Sequence, residues 1–263
     1  MEKNLRIVCI GAGNLATNLA YALQQQGFQI EQVYSRTQQS AQELAQGLGA
    51  SYTCSLDELL LGRELYLVSL RDDALLELAP QIMAGKEDAL VVHTAGSVAM
   101  DVLAAYGNRV GVLYPMQTFS KARLVSFSSI PIFLEAAQTR DLALLRSIAS
   151  KLTSRVFEAD SEQRKKLHLA AVFASNFANH MYTLSAEFLT KYGLPFESML
   201  SLIDETTSKV HTVSPAAAQT GPASRNDQDV MAEHIAMLAD MPQLQEIYKL
   251  VSTSILNHKT DNK

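Results

Sequence analysis

The stretch Leu5-Arg6-Ile7-Val8-Cys9-Ile10-Gly11-Ala12-Gly13-Asn14-Leu15-Ala16 decides the fold. Its first six residues are a β-prone apolar run with one charge, and a G-x-G-x-x-A spacing follows at once, opening a helical pattern over residues 15–26. A strand, a glycine turn and a helix in this order give the spacing a mechanical meaning as a dinucleotide loop. Gly11 permits the tight turn, Gly13 lets backbone approach a pyrophosphate, and Ala16 is small enough for close packing of helix on strand. Free N–H groups at the helix start then face the negative charge. Gly11, Ala12, Gly13, Asn14, Leu15 and Ala16 are therefore the expected pyrophosphate-side residues. An ordinary glycine turn is the competing reading, and the position directly after a strand argues against it.

Outward from this stretch, β-rich runs at residues 29–34, 65–70, 90–93, 110–114, 131–135 and 155–158 alternate with helical patterns at 38–47, 72–83 and 141–152. That alternation predicts an α/β fold, a doubly wound and mostly parallel sheet with helices on both faces. After Asp160 the texture changes. Residues 162–192 contain neither Gly nor Pro and place Leu167, Ala171, Ala174, Ala178, Met181, Leu184 and Phe188 at three-and-four spacing. An unbroken helix of that length spans about 45 Å. Its alanine-rich stripe admits a second helix closely, which predicts the spine of an all-helical C-terminal domain shared across a homodimer. Helical patterns at 196–210, 227–239 and 243–256 complete that domain. The expected division is a nucleotide-binding domain over 1–158 and a helical substrate and dimerisation domain over 159–263.

Composition narrows the function classes. With 263 residues, 48% hydrophobic and 19% charged, the chain can bury one large or two modest cores. A net charge of -5 and no long Lys/Arg run give no footprint for nucleic acid phosphates. Two cysteines cannot build a disulfide framework, and no stretch approaches the roughly 20 apolar residues that cross a bilayer. A cytoplasmic protein without nucleic acid or membrane partners is expected. No Cys/His/Asp/Glu set has metal-ligand spacing, so no metal is implied.

The end of the second β-rich run discriminates between dinucleotides. A carboxylate there would accept hydrogen bonds from the adenosine ribose, whereas a 2'-phosphate needs a cation and hydroxyls. The sequence has Ser35-Arg36-Thr37, with no carboxylate between Gln32 and Gln42, which selects NADP(H) over NAD(H). Capping of the next helix by Ser35 or Thr37 is compatible with that role. Ligands of an open α/β sheet lie beyond the carboxyl ends of the strands, where Ser69, Leu70, Thr94, Ser97 and Gln117 fall. Ser69, Leu70 and Thr94 are expected against cofactor, and Ser97 and Gln117 against substrate. His93 has two readings, a proton donor near the ring or a histidine satisfied by local backbone. In the long helix Asn176, Asn179, His168 and His180 interrupt apolar positions. Asn176 is read as orienting substrate with Asn179 at its border, and the two histidines as structural; interhelical hydrogen bonding is the alternative for this face. Arg225 can clamp a substrate anion in bidentate fashion or remain a surface charge.

Together these residues resemble a family with a Rossmann-like N-terminal domain and a helical C-terminal domain of unknown function, the NADP- or deazaflavin-dependent oxidoreductases. The resemblance is carried by residues 11–16, 35–37, 93–97 and 115–119, by Ala174-Ser175-Asn176-Phe177, and by 220–227. More distantly the layout is similar to pyrroline-5-carboxylate reductase, ketopantoate reductase and the 3-hydroxyacid dehydrogenases. That kinship implies NADPH, reduction of a C=O or C=N bond at an interdomain cleft, and dimers. Two departures stand out: Val172 occupies the position of the hydroxyacid dehydrogenases' catalytic lysine, and Tyr114 stands where the family has a histidine before Pro115. The expected function is thus an NADP(H)-dependent reductase of a small carbonyl or imine. A non-catalytic NADP(H) sensor or scaffold is the alternative that Val172 supports.

Overall fold

A computed structural model describes residues 5–261 of the chain. Among these residues eight strands form one sheet: β1 (Arg6–Ile10), β2 (Gln29–Tyr34), β3 (Ser51–Thr53), β4 (Leu65–Val68), β5 (Leu90–His93), β6 (Val110–Pro115), β7 (Ile132–Ala136) and β8 (Val156–Glu158). Their order is β3-β2-β1-β4-β5-β6-β7-β8. All neighbouring pairs are parallel except β6 with β7. Between them run α1 (Asn14–Gln25), α2 (Gln38–Leu48), α3 (Asp72–Met83), α4 (Asp101–Ala104) and α5 (Thr139–Leu152).

Alternation along each strand divides its side chains between two cores, as a sheet covered on both faces requires. Ile7 and Cys9 of β1, Leu65 and Leu67 of β4, and Leu90 and Val92 of β5 pack with α1, α2 and α5. Val8 and Ile10, Tyr66 and Val68, and Val91 pack with α3 and α4 on the other face. The doubly wound Rossmann-like sheet expected from the sequence is therefore present. The short β3 escaped the sequence reading because Ser51 and Tyr52 are exposed and only Thr53 is buried, leaving no apolar run to detect. The run at 65–70 ends as a strand at Val68.

The chain divides into two compact units, residues 1–176 and 177–263. The boundary expected at 158/159 lies just before α6 (Ser161–Ala171), and the first unit continues through that helix. Asp160 and Gln163 start α6 with a reciprocal capping box. Instead of one unbroken helix, residues 162–192 comprise α6, a π-helical segment Val172–Phe177 and α7 (Ala178–Lys191). π-segments are rare and recur at functional sites; this one contains Asn176.

In the second unit α7 is followed by α8 (Leu200–Lys209), α9 (Pro215–Ala218), α10 (Pro222–Arg225), α11 (Gln228–Met237) and α12 (Pro242–Asp261). Helices α7, α10, α11 and α12 line an open, largely apolar groove of about 490 Å³ whose walls include Leu184, Phe188, Met237, Ile247 and Val251. A hydrogen bond of 2.9 Å between His234 Nδ1 and Tyr248 Oη lies in its wall. Among the described residues no helix is long and apolar enough to cross a membrane.

One buried cation fixes α6 to the sheet of the first unit. The Arg164 side chain is 1% exposed and forms an ion pair with Glu135 on β7. It also donates to the carbonyls of Ala95 at 3.2 Å and Val98 at 2.6 Å, both in the segment after β5. Removing one partner of a buried pair costs about 3–5 kcal/mol, because the other charge is left uncompensated. Arg164→Ala is accordingly expected to lose that much in urea unfolding of the first unit, and a loss below about 1 kcal/mol would contradict the assignment.

Candidate functional site

Sheet order reverses direction at β1 and β4, which opens a crevice at their carboxyl ends. The ladder runs one residue past each strand there. Gly11 N donates to the Tyr34 carbonyl at 2.8 Å, Ser69 N to Ile10 at 2.8 Å, Thr94 N to Val68 at 3.1 Å, and Ser35 N to Thr53 at 3.2 Å. Gly11 has φ +122°, and a Cβ at this position would stand 2.3 Å from the Ser69 carbonyl oxygen. Only glycine lets the turn after β1 lie against the turn after β4 in this way.

Gly13 differs in kind, since nothing lies within 4 Å of where its Cβ would be. It is the N-cap of α1, no side chain caps the helix, and the first turn carries no acidic residue. The N-terminal N–H groups of a 12-residue helix thus open onto an unobstructed backbone edge, the arrangement that receives a phosphate. Ala12 and Ala16 are buried beneath this edge and Leu15 packs against the core. The Asn14 side chain turns to the segment after β6, where its Oδ1 accepts from Lys121 N at 3.2 Å. Asn18 was missed in the sequence. Its Nδ2 donates to the Ser120 carbonyl at 3.0 Å and its Oδ1 accepts from Val125 N at 3.0 Å. These two amides strap the segment after β6 across α1.

At the end of β2, Ser35 Oγ accepts from Thr37 N at 3.4 Å and lies 3.5 Å from Thr37 Oγ1. Thr37 is the N-cap of α2 but makes no side-chain capping bond. Arg36 is exposed and is not ion-paired among the described residues. Two hydroxyls and a cation are therefore grouped without a carboxylate, so the residues present fit a 2'-phosphate as well as the α1 edge fits a pyrophosphate.

The next strand ends are joined by a hydrogen bond of 3.1 Å between Thr94 Oγ1 and Ser69 Oγ. Leu70 is half-buried beside Gly11. Ser97 donates its hydroxyl to Asp72 and caps no helix. Gln117 is exposed, its Oε1 taken by Thr118 N at 2.8 Å. Asn176 is exposed within the π-segment at the end of the first unit. Asn179 and Arg225 belong to the second unit, both exposed, with Arg225 4.0 Å from the Asp227 carboxylate.

His93 is fully enclosed, at 0% exposure. Burial, and then the positive charge of Arg164, push its pKa down to about 3, with the Ala99 carbonyl offsetting part of this. Its Nδ1 accepts from Ala95 N at 3.2 Å, and Nε2 has no partner at hydrogen-bonding distance. His93 is thus a neutral imidazole at physiological pH that supports the backbone after β5. Beyond it, Tyr114 and His168 meet over Gly96, with Tyr114 Oη 3.3 Å from His168 Nδ1. A Cβ on Gly96 would stand 2.8 Å from both His168 Nδ1 and Tyr114 Cζ. Sequence reading missed this pair, although Arg164 and His168 at i,i+4 spacing on α6 signalled a polar face. Among the described residues no group of three or more His, Cys, Asp or Glu is placed to hold a metal ion.

Comparison with known proteins places these features in context. Residues 6–96 match the family model described as "NADP oxidoreductase coenzyme F420-dependent", and residues 130–255 match a domain of unknown function, DUF2520. A crystal structure of a "putative NADP oxidoreductase" from Bacteroides fragilis is 57% identical, with TM-score 0.94 over 97% of this chain and 99% of that one. A Thermotoga maritima protein shares 24% identity at TM-score 0.72, covering 97% of this chain and 99% of that chain. An imine reductase from Myxococcus stipitatus, solved with NADP+, shares the fold at 16% identity and TM-score 0.68, covering 97% of this chain and 93% of that chain. No functionally curated protein matches the sequence.

Two outcomes follow from this geometry. Gly11→Ala forces a Cβ onto the Ser69 carbonyl, and is expected to lower the melting temperature and abolish detectable binding of the dinucleotide in calorimetry; unaltered binding would contradict the assignment of this turn. His93 has its folded pKa depressed to about 3 from an unfolded value near 6.5. Its stabilising contribution is therefore full above about pH 6.5 and is lost as pH falls toward 3, at up to about 1.4 kcal/mol per pH unit. Unfolding free energies measured between pH 7 and 5 should show this slope, and His93→Gln should flatten it.

Proposed function

This chain belongs to the NADP oxidoreductase family of its Bacteroides fragilis relative, and from that premise we propose that it reduces a small carbonyl or imine with NADPH. The observation that carries the reading is the pairing of an uncapped, unobstructed α1 edge at Gly13 with the carboxylate-free group Ser35, Arg36 and Thr37. Backbone N–H groups at residues 12–14 would hold the pyrophosphate, and Arg36 with its two hydroxyl neighbours the 2'-phosphate. Ser69, Leu70 and Thr94 would line the continuation toward the ends of β4 and β5. NADPH, when bound, supplies a hydride to an electron-poor carbon.

The chain's own residues must then hold the substrate and manage a proton. Asn176 orients the polar atom of the double bond through its side-chain amide, a role its exposed place in the π-segment supports. Ser97, Gln117, Asn179 and Arg225 remain the candidates for holding the rest of the substrate. His93, enclosed and neutral, acts by supporting the segment Thr94–Ser97 rather than by donating a proton. The imine reductase that shares this fold supports including C=N substrates. One observation favours a second reading, a non-catalytic NADP(H) sensor or scaffold: the π-segment begins with an apolar residue, Val172, where a catalytic lysine stands in hydroxyacid dehydrogenases. NADPH oxidation across a panel of keto acids, cyclic imines and deazaflavins separates the two, since a sensor binds NADPH and turns over none of them.

The second unit exposes Leu200, Leu202, Met237, Leu250 and Val251, large apolar side chains that a partner surface would cover. We place a homodimer on this unit, working in the cytoplasm, where the free thiols of Cys9 and Cys54 stay reduced. Sedimentation velocity at micromolar concentration is expected to show a dimer; a monomer at 100 μM, on the order of the weakest specific contacts, would contradict it. Arg36→Ala removes the charge-assisted contact to the 2'-phosphate, worth about 1.5–3 kcal/mol. Calorimetry should show NADPH affinity falling about 10-fold to 100-fold while NADH affinity holds, and equal losses for both would contradict the assignment.

A further inference from the structure

Tyr114 and His168 are brought together by three elements of the first unit: β6 contributes the phenol, α6 the imidazole, and the segment after β5 contributes Gly96. Nothing larger than glycine fits between them and the backbone, since a Cβ would be driven into both rings. The hydroxyl and Nδ1 are 3.3 Å apart, and the rings meet edge to face at 6.3 Å. Tyr114 is 8% exposed, whereas His168 is half-buried, so the imidazole connects the enclosed phenol toward solvent. Tyr114 stands at the carboxyl end of β6 and Gly96 beyond that of β5, the side of the sheet where the reacting end of a dinucleotide lies in sheets of this kind, and His168 meets them from α6.

We propose that Tyr114 and His168 form the proton-delivering pair of this site, with Tyr114 the catalytic acid and His168 the positioning residue that replenishes it. The inference rests on the NADPH reading above. As hydride reaches the substrate carbon, the π electrons of the C=O or C=N bond move onto its heteroatom, which takes the Tyr114 hydroxyl proton. Tyr114 oxygen in turn takes the proton carried on His168 Nδ1, and water returns a proton to the imidazole ring. Hydride and proton together complete a two-electron reduction, with NADPH the reductant. Burial raises the Tyr114 pKa, with the positive charge of Arg164 opposing, and this keeps the phenol protonated until the step. Tyr114 on β6 meets the imidazole directly, and Arg164, one turn earlier on the same helix, is ion-paired with Glu135 on β7. The Arg164–Glu135 pair is fixed, so the redox state of a nicotinamide bound at this end of the sheet would be the charge that changes near the pair.

That charge provides the test, without knowledge of the substrate. NADP+ and NADPH differ by the positive charge on the nicotinamide ring, so histidine titrations followed by NMR on protein saturated with each isolate its effect. The His168 signal is assigned with the His168→Gln variant. Its midpoint is expected to be lower with NADP+ than with NADPH, because the added positive charge disfavours a second cation beside it. Identical midpoints with both nucleotides bound would overturn the pair while leaving cofactor binding intact. Failure of either nucleotide to bind would overturn the NADPH reading itself. With any substrate found in the panel, Tyr114→Phe should lower kcat about 100-fold or more at nearly constant KM and NADPH affinity, and an unchanged kcat would refute the acid role.

Discussion

Everything at the candidate site depends on two backbone turns lying in contact at the switch between β1 and β4. Gly11, at positive φ, lies so near the carbonyl of Ser69 that a side chain on it would strike that oxygen. That contact aims the N-terminus of α1 into the crevice and leaves Gly13 as an open backbone edge. The apolar strands on either side serve this arrangement by division of labour, with alternate side chains anchoring α1 from one face and α3 from the other. A pyrophosphate cradle here is a consequence of sheet order and of two glycines with opposite constraints: one has no room for a side chain, and the other has nothing near it at all.

A second, polar constraint sets the opposite end of the crevice. Arg164 is buried with Glu135 and ties α6 to the carbonyls of Ala95 and Val98. One turn further along the same helix, His168 meets Tyr114 across Gly96. The buried cation therefore fixes both the backbone after β5 and the register of the helix that delivers the imidazole. Enclosed beside it, His93 is held neutral by burial and by that same positive charge. A residue type that suggests proton transfer has here become part of the support, and the partly exposed histidine carries the polar contact instead.

Most of the first unit was legible because its signals are local. Strand runs, the spacing from Gly11 to Ala16 and the absence of a carboxylate around Arg36 are each visible in a dozen residues. The exceptions have physical causes. β3 has no apolar face to announce it, and the π-segment at Val172–Phe177 leaves hydrophobic spacing nearly unchanged while inserting a wider turn. Contacts that join distant segments were out of reach: Asn18 with Ser120 and Val125, Tyr114 with His168, and Arg164 with Glu135 are separated by 102, 107, 54 and 29 positions. Asn14 is legible as a residue of the G-x-G-x-x-A stretch, whereas the hold of its side chain on the strap after β6 is a use no spacing rule reveals.

The central claim is that this crevice selects a dinucleotide by its extra phosphate. Isothermal calorimetry of the intact protein against NADPH and NADH in the same buffer measures that selection directly. The account predicts micromolar or tighter binding of NADPH, at least about 10-fold stronger than NADH, the ratio one charge-assisted phosphate contact sustains. Equal affinities, or no heat from either nucleotide with folded protein, would contradict it.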